Sequence, residues 1–219
     1  MTVSRIVAFK LRRAKLSFIT RSHDISNAFP SSKHEFMDAA VDPCLETLGD
    51  ADVVEFFHQR RQQAMAEIDA CDGQLSVRPT EGGLQGCGNA AEEFMLTFGP
   101  CLNDWRSRSF EFVKPFIAVC PVVPGKVDLS MCSFIDDILK HVIIEDHTAL
   151  SGLRVLGEVG DCLDECLAPA GYLQNRGKEE ITPALRTQAE NRRMYEVGFS
   201  GKVLPHLKHL GGLFLPSPL

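Results

Sequence analysis

An α+β fold, built on an antiparallel sheet with helices packed on one face, is predicted by the order in which two hydrophobic periods alternate along the chain. Short runs of strand character lie at residues 17–25, 67–79, 110–123 and 127–144, with apolar residues at helical spacing between them. The punctuation agrees: Asp72-Gly73 sits between two short runs as a hairpin turn, and Gly49 and Gly171 fall where helical patterns stop. At 219 residues and 44% hydrophobic, the chain is long enough for one sizeable domain.

The first 16 residues form a basic segment, with Arg5, Lys10, Arg12, Arg13 and Lys15 and no acid before Asp24. Two readings of it stand: a targeting peptide, or a helix whose Ile6, Val7, Phe9 and Leu11 lead into a core strand. "SFITRSHDI" is that strand, and "FPSSKHEF" turns into a helix with Phe36, Ala39, Ala40 and Leu45 at helical spacing. A second helix starts near Asp52, the expected N-cap, so that the two form a helical hairpin. After the Asp72-Gly73 hairpin, "EGGLQGCGNAAEEFMLTFGPCLNDW" is a glycine-rich turn opening a helix through Ala90, Phe94, Leu96, Phe98 and Leu102. Residues 127–144 pair as two strands bending at Ile135 to Asp137, and "SGLRVLGEVGDCLDECLAPAG" puts Leu153, Leu156, Leu163 and Leu167 on one helix face. "LPHLKHLGGLFLPSPL" closes the chain as a terminal hairpin around Gly211 and Gly212.

Composition excludes several classes. No stretch approaches the roughly 20 apolar residues that span a bilayer, so a soluble chain without a membrane partner is expected. A net charge of −6 argues against a general nucleic-acid coat protein. Eight cysteines are scattered singly through apolar segments, which fits a reducing compartment rather than a secreted disulfide frame. Cys162 and Cys166 share a helix face, yet no second Cys or His pair sits at zinc spacing, so they are taken as small core residues.

"SFIDDILK" sets Asp136 and Asp137 side by side between apolar residues. Adjacent carboxylates repel and resist burial; a shared proton or a divalent cation compensates them, unless they form an exposed turn pair. Asp24, at the end of another predicted strand, supplies a third carboxylate. Three carboxylates on adjoining strands can hold two magnesium or manganese ions about 3.5–4 Å apart, the arrangement that drives in-line nucleotidyl transfer.

"DISNAF", "GGLQG", "FIDD", "AGYLQNRGKEE" and "LKHLGGLF", in that order, together resemble the palm of reverse transcriptases, above all those of retrotransposons lacking long terminal repeats. The five motifs run from Phe18 to about Leu215. The resemblance implies RNA-templated DNA polymerisation with two Mg²⁺ or Mn²⁺ ions, an RNA template, a DNA primer and deoxynucleoside triphosphates. It makes Asp24, Asp136 and Asp137 the catalytic acids, with the Ile25 carbonyl completing the metal site and Lys178 protonating the departing pyrophosphate. Phe29 would lie under the sugar and exclude a 2′-hydroxyl, Gly82, Gln85 and Gly86 would touch nucleotide and template, and Leu210 and Gly211 would grip the primer.

The implied organisation is a basic N-terminal segment at 1–16, a palm at 17–200 and a primer-grip-like hairpin at 201–219. Departures accompany it. Only 23 residues precede Asp24, where the family's basic fingers would lie; the thumb is missing, and Cys87-Gly88 replaces the common Asp-Pro. The expected protein is therefore a palm that needs fingers and thumb from a longer protein, poorly active alone. The alternative is a catalytically silent palm that binds metal or a partner without polymerising.

Overall fold

The computed structural model describes residues 3–47, 49–70, 73–79, 81–82, 89–119, 125–134, 137–209 and 212–214. In chain order the elements are α1 (Val3–Arg13), β1 (Phe18–His23), β2 (Ile25–Ser26), α2 (Ala28–Ser31), α3 (His34–Glu46), α4 (Ala51–Gln63), β3 (Ala66–Ala70), β4 (Gly73–Val77), α5 (Ala90–Ser109), β5 (Ile117–Val119), β6 (Lys126–Asp128), β7 (Met131–Phe134), β8 (Asp137–Ile143), α6 (Ala149–Leu167), β9 (Leu173–Gln174), β10 (Glu180–Ala184), α7 (Gln188–Val197), β11 (Lys202–Val203), β12 (Leu207–His209) and β13 (Gly212–Phe214). The fold is α+β. It divides into two compact units, one of residues 1–25, 104–165 and 174–219, the other of residues 26–103 and 166–173.

The first unit is organised by a five-stranded sheet in the order β11-β10-β1-β8-β7. β1 is central and antiparallel to both β8 and β10; β7 is antiparallel to β8, and β11 runs parallel to β10. "FITRSH" alternates as a strand buried on both faces must. Phe18 faces the same way as Leu139 and Ile143 and packs with Val7, Ala8 and Leu11 of α1 and with Leu207 of β12. The basic segment forms a helix with Val7, Ala8 and Leu11 buried, while Ile6 and Phe9, expected to lead into the core, are exposed together with Arg5, Lys10 and Arg13. Ile19, Arg21 and His23 turn to the other face, where α6 approaches so closely that a Cβ on Gly152 would lie 2.6 Å from Ile19. Trp105, near the end of α5, is fully buried there and donates its indole N–H to the Val159 carbonyl at 2.9 Å.

Sequence expectation and structure part at three places here. β10 was not anticipated: "EITPA" carries Pro183, which weakens a strand signal, yet the strand lies between β1 and the short β11. Among the described residues of the strand expected across 110–123, only β5 forms, because Phe110, Phe112 and Val113 donate back to Ser107 and Ser109 and prolong the α5 terminus as turns; residues 120–123 lie outside the described residues. α7, capped by the Thr187 side chain accepting from the Glu190 N–H, was also missed.

The second unit carries the helical hairpin of α3 and α4 and the β3–β4 hairpin, in which Ile68 faces Leu75. The N-cap of α4 is Asp50 rather than Asp52: its extended backbone lets the carboxylate accept from the Asp52 and Val53 N–H groups. Arg61 is buried between the helices and lies 2.5 Å from Asp38 and 3.7 Å from Glu93, its charge compensated on both sides. An aromatic stack fills the core: Phe94 lies on Phe98 at 4.9 Å, and both meet the edge of Tyr172. Burial pushes the Tyr172 phenol up to about 12, so it keeps its proton and its hydrogen bond with Ser32.

Candidate active site

Two strand registers converge on Asp24. β1 and β8 pair as far as His23 with Ile138, so the next step sets Asp24 beside Asp137. On the other side β1 and β10 pair as far as Ser22 with Glu180, and two further steps bring Asp24 to Lys178. The ammonium of Lys178 lies 3.8 Å from an Asp24 carboxylate oxygen. The result is a row, Asp137, Asp24, Lys178, across the ends of three neighbouring strands. Alternation turns it to the face of Ser22 and Leu139, opposite the face that α6 covers.

The local chain explains how the row is held. The Asp24 carbonyl accepts from the Asn175 N–H at 2.8 Å, and the Lys178 N–H donates to the Asn175 carbonyl at 3.0 Å, folding "NRGK" back towards β1. Gln174 anchors the same turn to α6 by donating to the Gly160 carbonyl and to Asp164, each at 2.7 Å. Arg176 adds ion pairs to Asp161 and Asp164. Ile25 follows Asp24 directly and is buried.

Directly inward is a second row, Ile138, His23, Glu179, fully buried and turned to the other face. Arg21 donates to Glu179 at 2.6 Å and to the Leu156 carbonyl of α6 at 2.5 Å. His23 donates from Nδ1 to Gln174 at 2.9 Å, with Glu179 at 3.4 Å, and stands edge-on to Trp105. Burial, reinforced by the Arg21 charge, takes His23 down to about 4, so the ring is neutral near pH 7. Burial alone would raise the Glu179 carboxyl, but the His23 hydrogen bond and the Arg21 charge hold it below its ordinary value. Lys140, also buried, lies 4.4 Å from the Trp105 ring centre and donates to Ser109 at 2.9 Å; burial takes it down to about 8.

In the other unit, Phe29 is half-buried and stacks on Phe94 at 4.8 Å. Gly82 has φ +85°, and a Cβ there would come within 2.4 Å of the Pro30 backbone. Its N–H donates to the Ser32 carbonyl at 2.6 Å and its carbonyl accepts from His34 at 3.1 Å. Glycine is therefore required by the close approach as well as by the backbone angle.

Asp136, Gln85, Gly86, Leu210 and Gly211 lie outside the described residues. Asp24, Asp137 and Lys178 are brought together, and so are Phe29 and the Gly82 turn. Sequence reasoning missed Arg21, His23 and Glu179. The signal was present in "TRSHD", five consecutive polar side chains in a strand expected to enter the core, and in the acid directly following Lys178. Among the described residues one group of three has metal-ligating reach: Asp38, Asp42 and His58, their ligand atoms within 4.8 Å of one another. Arg61, 2.5 Å from Asp38 and 3.5 Å from Asp42, already supplies a cation to those carboxylates.

The Asp24 and Asp137 donor set suits a hard divalent ion. Both are carboxylates at adjoining strand ends, Asp24 half-exposed and Asp137 exposed, so ligation needs no charge buried away from water.

No protein-family model matches the chain, and no curated protein matches it. Among solved structures, the fold is similar to telomerase from Candida albicans in complex with a TWJ fragment of telomeric RNA, with a TM-score of 0.57 and 10% identity over 82% of this chain and 29% of that one. Telomerase from Candida tropicalis with a TWJ fragment of telomeric RNA gives 0.54 and 13% over 83% and 29%. The apo Candida tropicalis telomerase truncated from its C-terminal domain gives 0.50 and 12% over 83% and 34%. The chain spans about a third of the length of these telomerase chains. At such identities the likeness is one of fold alone: the chain folds like part of these telomerase chains.

Proposed function

We propose that the chain is the palm of a reverse transcriptase of the kind carried by retrotransposons lacking long terminal repeats, and that it performs RNA-templated nucleotidyl transfer to a DNA primer. The observation that carries this reading is the row of Asp137, Asp24 and Lys178 across three strand ends, with the Lys178 ammonium 3.8 Å from Asp24. Asp24, Asp136, Asp137 and the Ile25 carbonyl would hold two magnesium or manganese ions, which when bound activate the primer 3′-hydroxyl and neutralise the triphosphate. In this reading residues 17–200 act as the palm and 201–219 as the primer grip, through Leu210 and Gly211.

The chain's own groups supply positioning and one proton. Lys178, largely exposed beside the carboxylates, is placed to donate its ammonium proton to the leaving pyrophosphate. Phe29, stacked on Phe94, would exclude a 2′-hydroxyl from the sugar. Gly82, Gln85 and Gly86 would contact nucleotide and template, the glycines' missing side chains allowing a close approach. Base pairing with the RNA chooses the nucleotide, and fixed geometry supplies most of the rate.

The same Lys178–Asp24 contact favours a second reading, a catalytically silent palm, because an ammonium compensates a carboxylate without any metal. Primer extension separates the two. The chain is assayed on an RNA template with a DNA primer, alone and joined to the fingers and thumb of a related reverse transcriptase. The polymerase reading predicts weak extension alone, rescue by the added segments, and loss of the rescued activity in Asp24→Ala and Asp136→Ala. Phe29→Ala should keep DNA synthesis and admit ribonucleotides. Extension absent under every condition establishes the silent palm, and activity surviving Asp136→Ala removes "FIDD" as the catalytic turn.

A further inference from the structure

The exposed acid and the exposed lysine each have a buried neighbour in the chain, and those two neighbours meet. His23 precedes Asp24 and Glu179 follows Lys178; His23 Nδ1 lies 3.4 Å from Glu179 Oε1. Glu179 is gripped again by Arg21 at 2.6 Å, and Arg21 is fixed to the Leu156 carbonyl of α6. His23 is tied through Gln174 to the Gly160 carbonyl on the same helix. Two glycines leave room for the arrangement: a Cβ on Gly160 would come to 2.7 Å of Arg21 Nη2, and one on Gly201 to 2.1 Å of the Glu179 carbonyl oxygen.

We propose that Glu179, clamped by Arg21 and His23 and braced on α6, is a positioning residue that sets the spacing of Asp24 and Lys178 for metal and triphosphate. The inference rests on the reading of Asp24 as a metal ligand. Its physical content is leverage. Asp24 directly follows β1 and Lys178 lies in the turn just before β10, where ladder bonds end, and each is one peptide away from a buried side chain held by the network. A fixed Cα at His23 and at Glu179 leaves their neighbours only side-chain freedom. Ligand-orienting partners of this kind change metal affinity by about 10–100-fold when removed. A salt bridge kept only for stability has no reason to sit beside both residues of the outer pair.

The test uses the full chain and reads free Mn²⁺ by electron paramagnetic resonance, together with amide hydrogen exchange at Asn175, whose N–H donates to the Asp24 carbonyl. Glu179→Gln removes the charge at nearly constant shape. Gly160→Ala leaves every charge in place and improves helix propensity, but pushes a methyl group into Arg21. Val142→Ala, a buried residue of β8, supplies a loss of stability with no group of the network removed. Glu179→Gln and Gly160→Ala should each weaken Mn²⁺ binding about tenfold or more and accelerate exchange at Asn175, while Val142→Ala keeps wild-type affinity. Wild-type affinity in both network variants, or an equal loss in Val142→Ala, overturns the positioning role while leaving Asp24 as a ligand. If the wild-type chain and Asp24→Asn both ignore Mn²⁺, the metal-site reading fails instead. Exchange at Asn175 then decides alone, with an unchanged rate in both network variants rejecting the positioning role.

Discussion

Asp137, Asp24 and Lys178 form one row across β8, β1 and β10, and Ile138, His23 and Glu179 form the next row inward on the same strands. Both rows contain charge, yet only the outer one meets water. The outer carboxylates and ammonium are hydrated, so their interactions are cheap to make, weak, and available to a ligand. In the inner row the Glu179 carboxylate is kept charged in a dry site by Arg21, with His23 Nδ1 3.4 Å away. One residue of register therefore separates a reactive surface from a rigid support. That separation follows from the two-residue period of a strand, which turns successive side chains to opposite faces.

Substitutions across the two rows should have unequal costs. The largest is expected at the inner row, where Glu179→Ala leaves Arg21 buried without its carboxylate. A loss of about 3–5 kcal/mol is expected in urea denaturation, against well under 1 kcal/mol for Lys178→Ala at the exposed end. Equal costs would erase the distinction between the rows.

Acid should expose the same inner row. His23 is neutral and faces Glu179, Arg21, Gln174 and Trp105, and its pKa falls from 6.5 to about 4 on folding. The unfolded chain therefore binds the extra proton between those values. The contribution is complete above pH 6.5 and is lost as pH falls towards 4, by about 3 kcal/mol in all. His23→Asn should flatten that part of the pH profile of unfolding free energy, and a profile unchanged by the substitution would contradict the burial described for the ring.

Lys140 sharpens the comparison with a smaller effect of opposite use. It is buried on the same sheet face, in contact with an aromatic ring and a hydroxyl, with the Asp128 carboxylate offsetting only part of its burial. Burial lowers it from 10.5 to about 8, so unfolding releases a site that binds protons more tightly, and stability should rise between pH 8 and 10.5. Lys140→Met should remove that rise and stabilise the chain by about 1–2 kcal/mol at pH 7, once the lost bond to Ser109 is counted. A destabilised Lys140→Met would show that the ammonium is better compensated than its surroundings indicate.

Much of the outer row was legible in the sequence because it is local. "FITRSH" and "DILKHV" are strands with a carboxylate at or next to one end, and the order of motifs brought Lys178 into the same set. The inner row was not legible, because a polar residue in a core strand can be recognised only when its partner is known, and Glu179 is 158 residues from Arg21. β10 was hidden for a related reason: Pro183 and two polar residues dilute its pattern, and its strand character comes from lying beside β1. The helices were read more easily. Ala90, Phe94, Phe98 and Leu102 recur at helical spacing and are all buried, although Leu96, expected with them, points outward. Phe29 was placed by its motif, while its stack on Phe94 emerged only from the fold.

The account stands on the outer row being a divalent-ion site, and thermal unfolding with and without manganese tests that most directly. At about ten times the dissociation constant, bound ion should stabilise the wild-type chain by roughly 1.4 kcal/mol. For a chain of this size that corresponds to a melting temperature higher by roughly 3–5 °C. Asp24→Asn and Asp136→Asn should each lose most of the increment while melting normally without metal. A wild-type chain indifferent to millimolar manganese, or an Asp24→Asn variant that gains as much as the wild type, would contradict it.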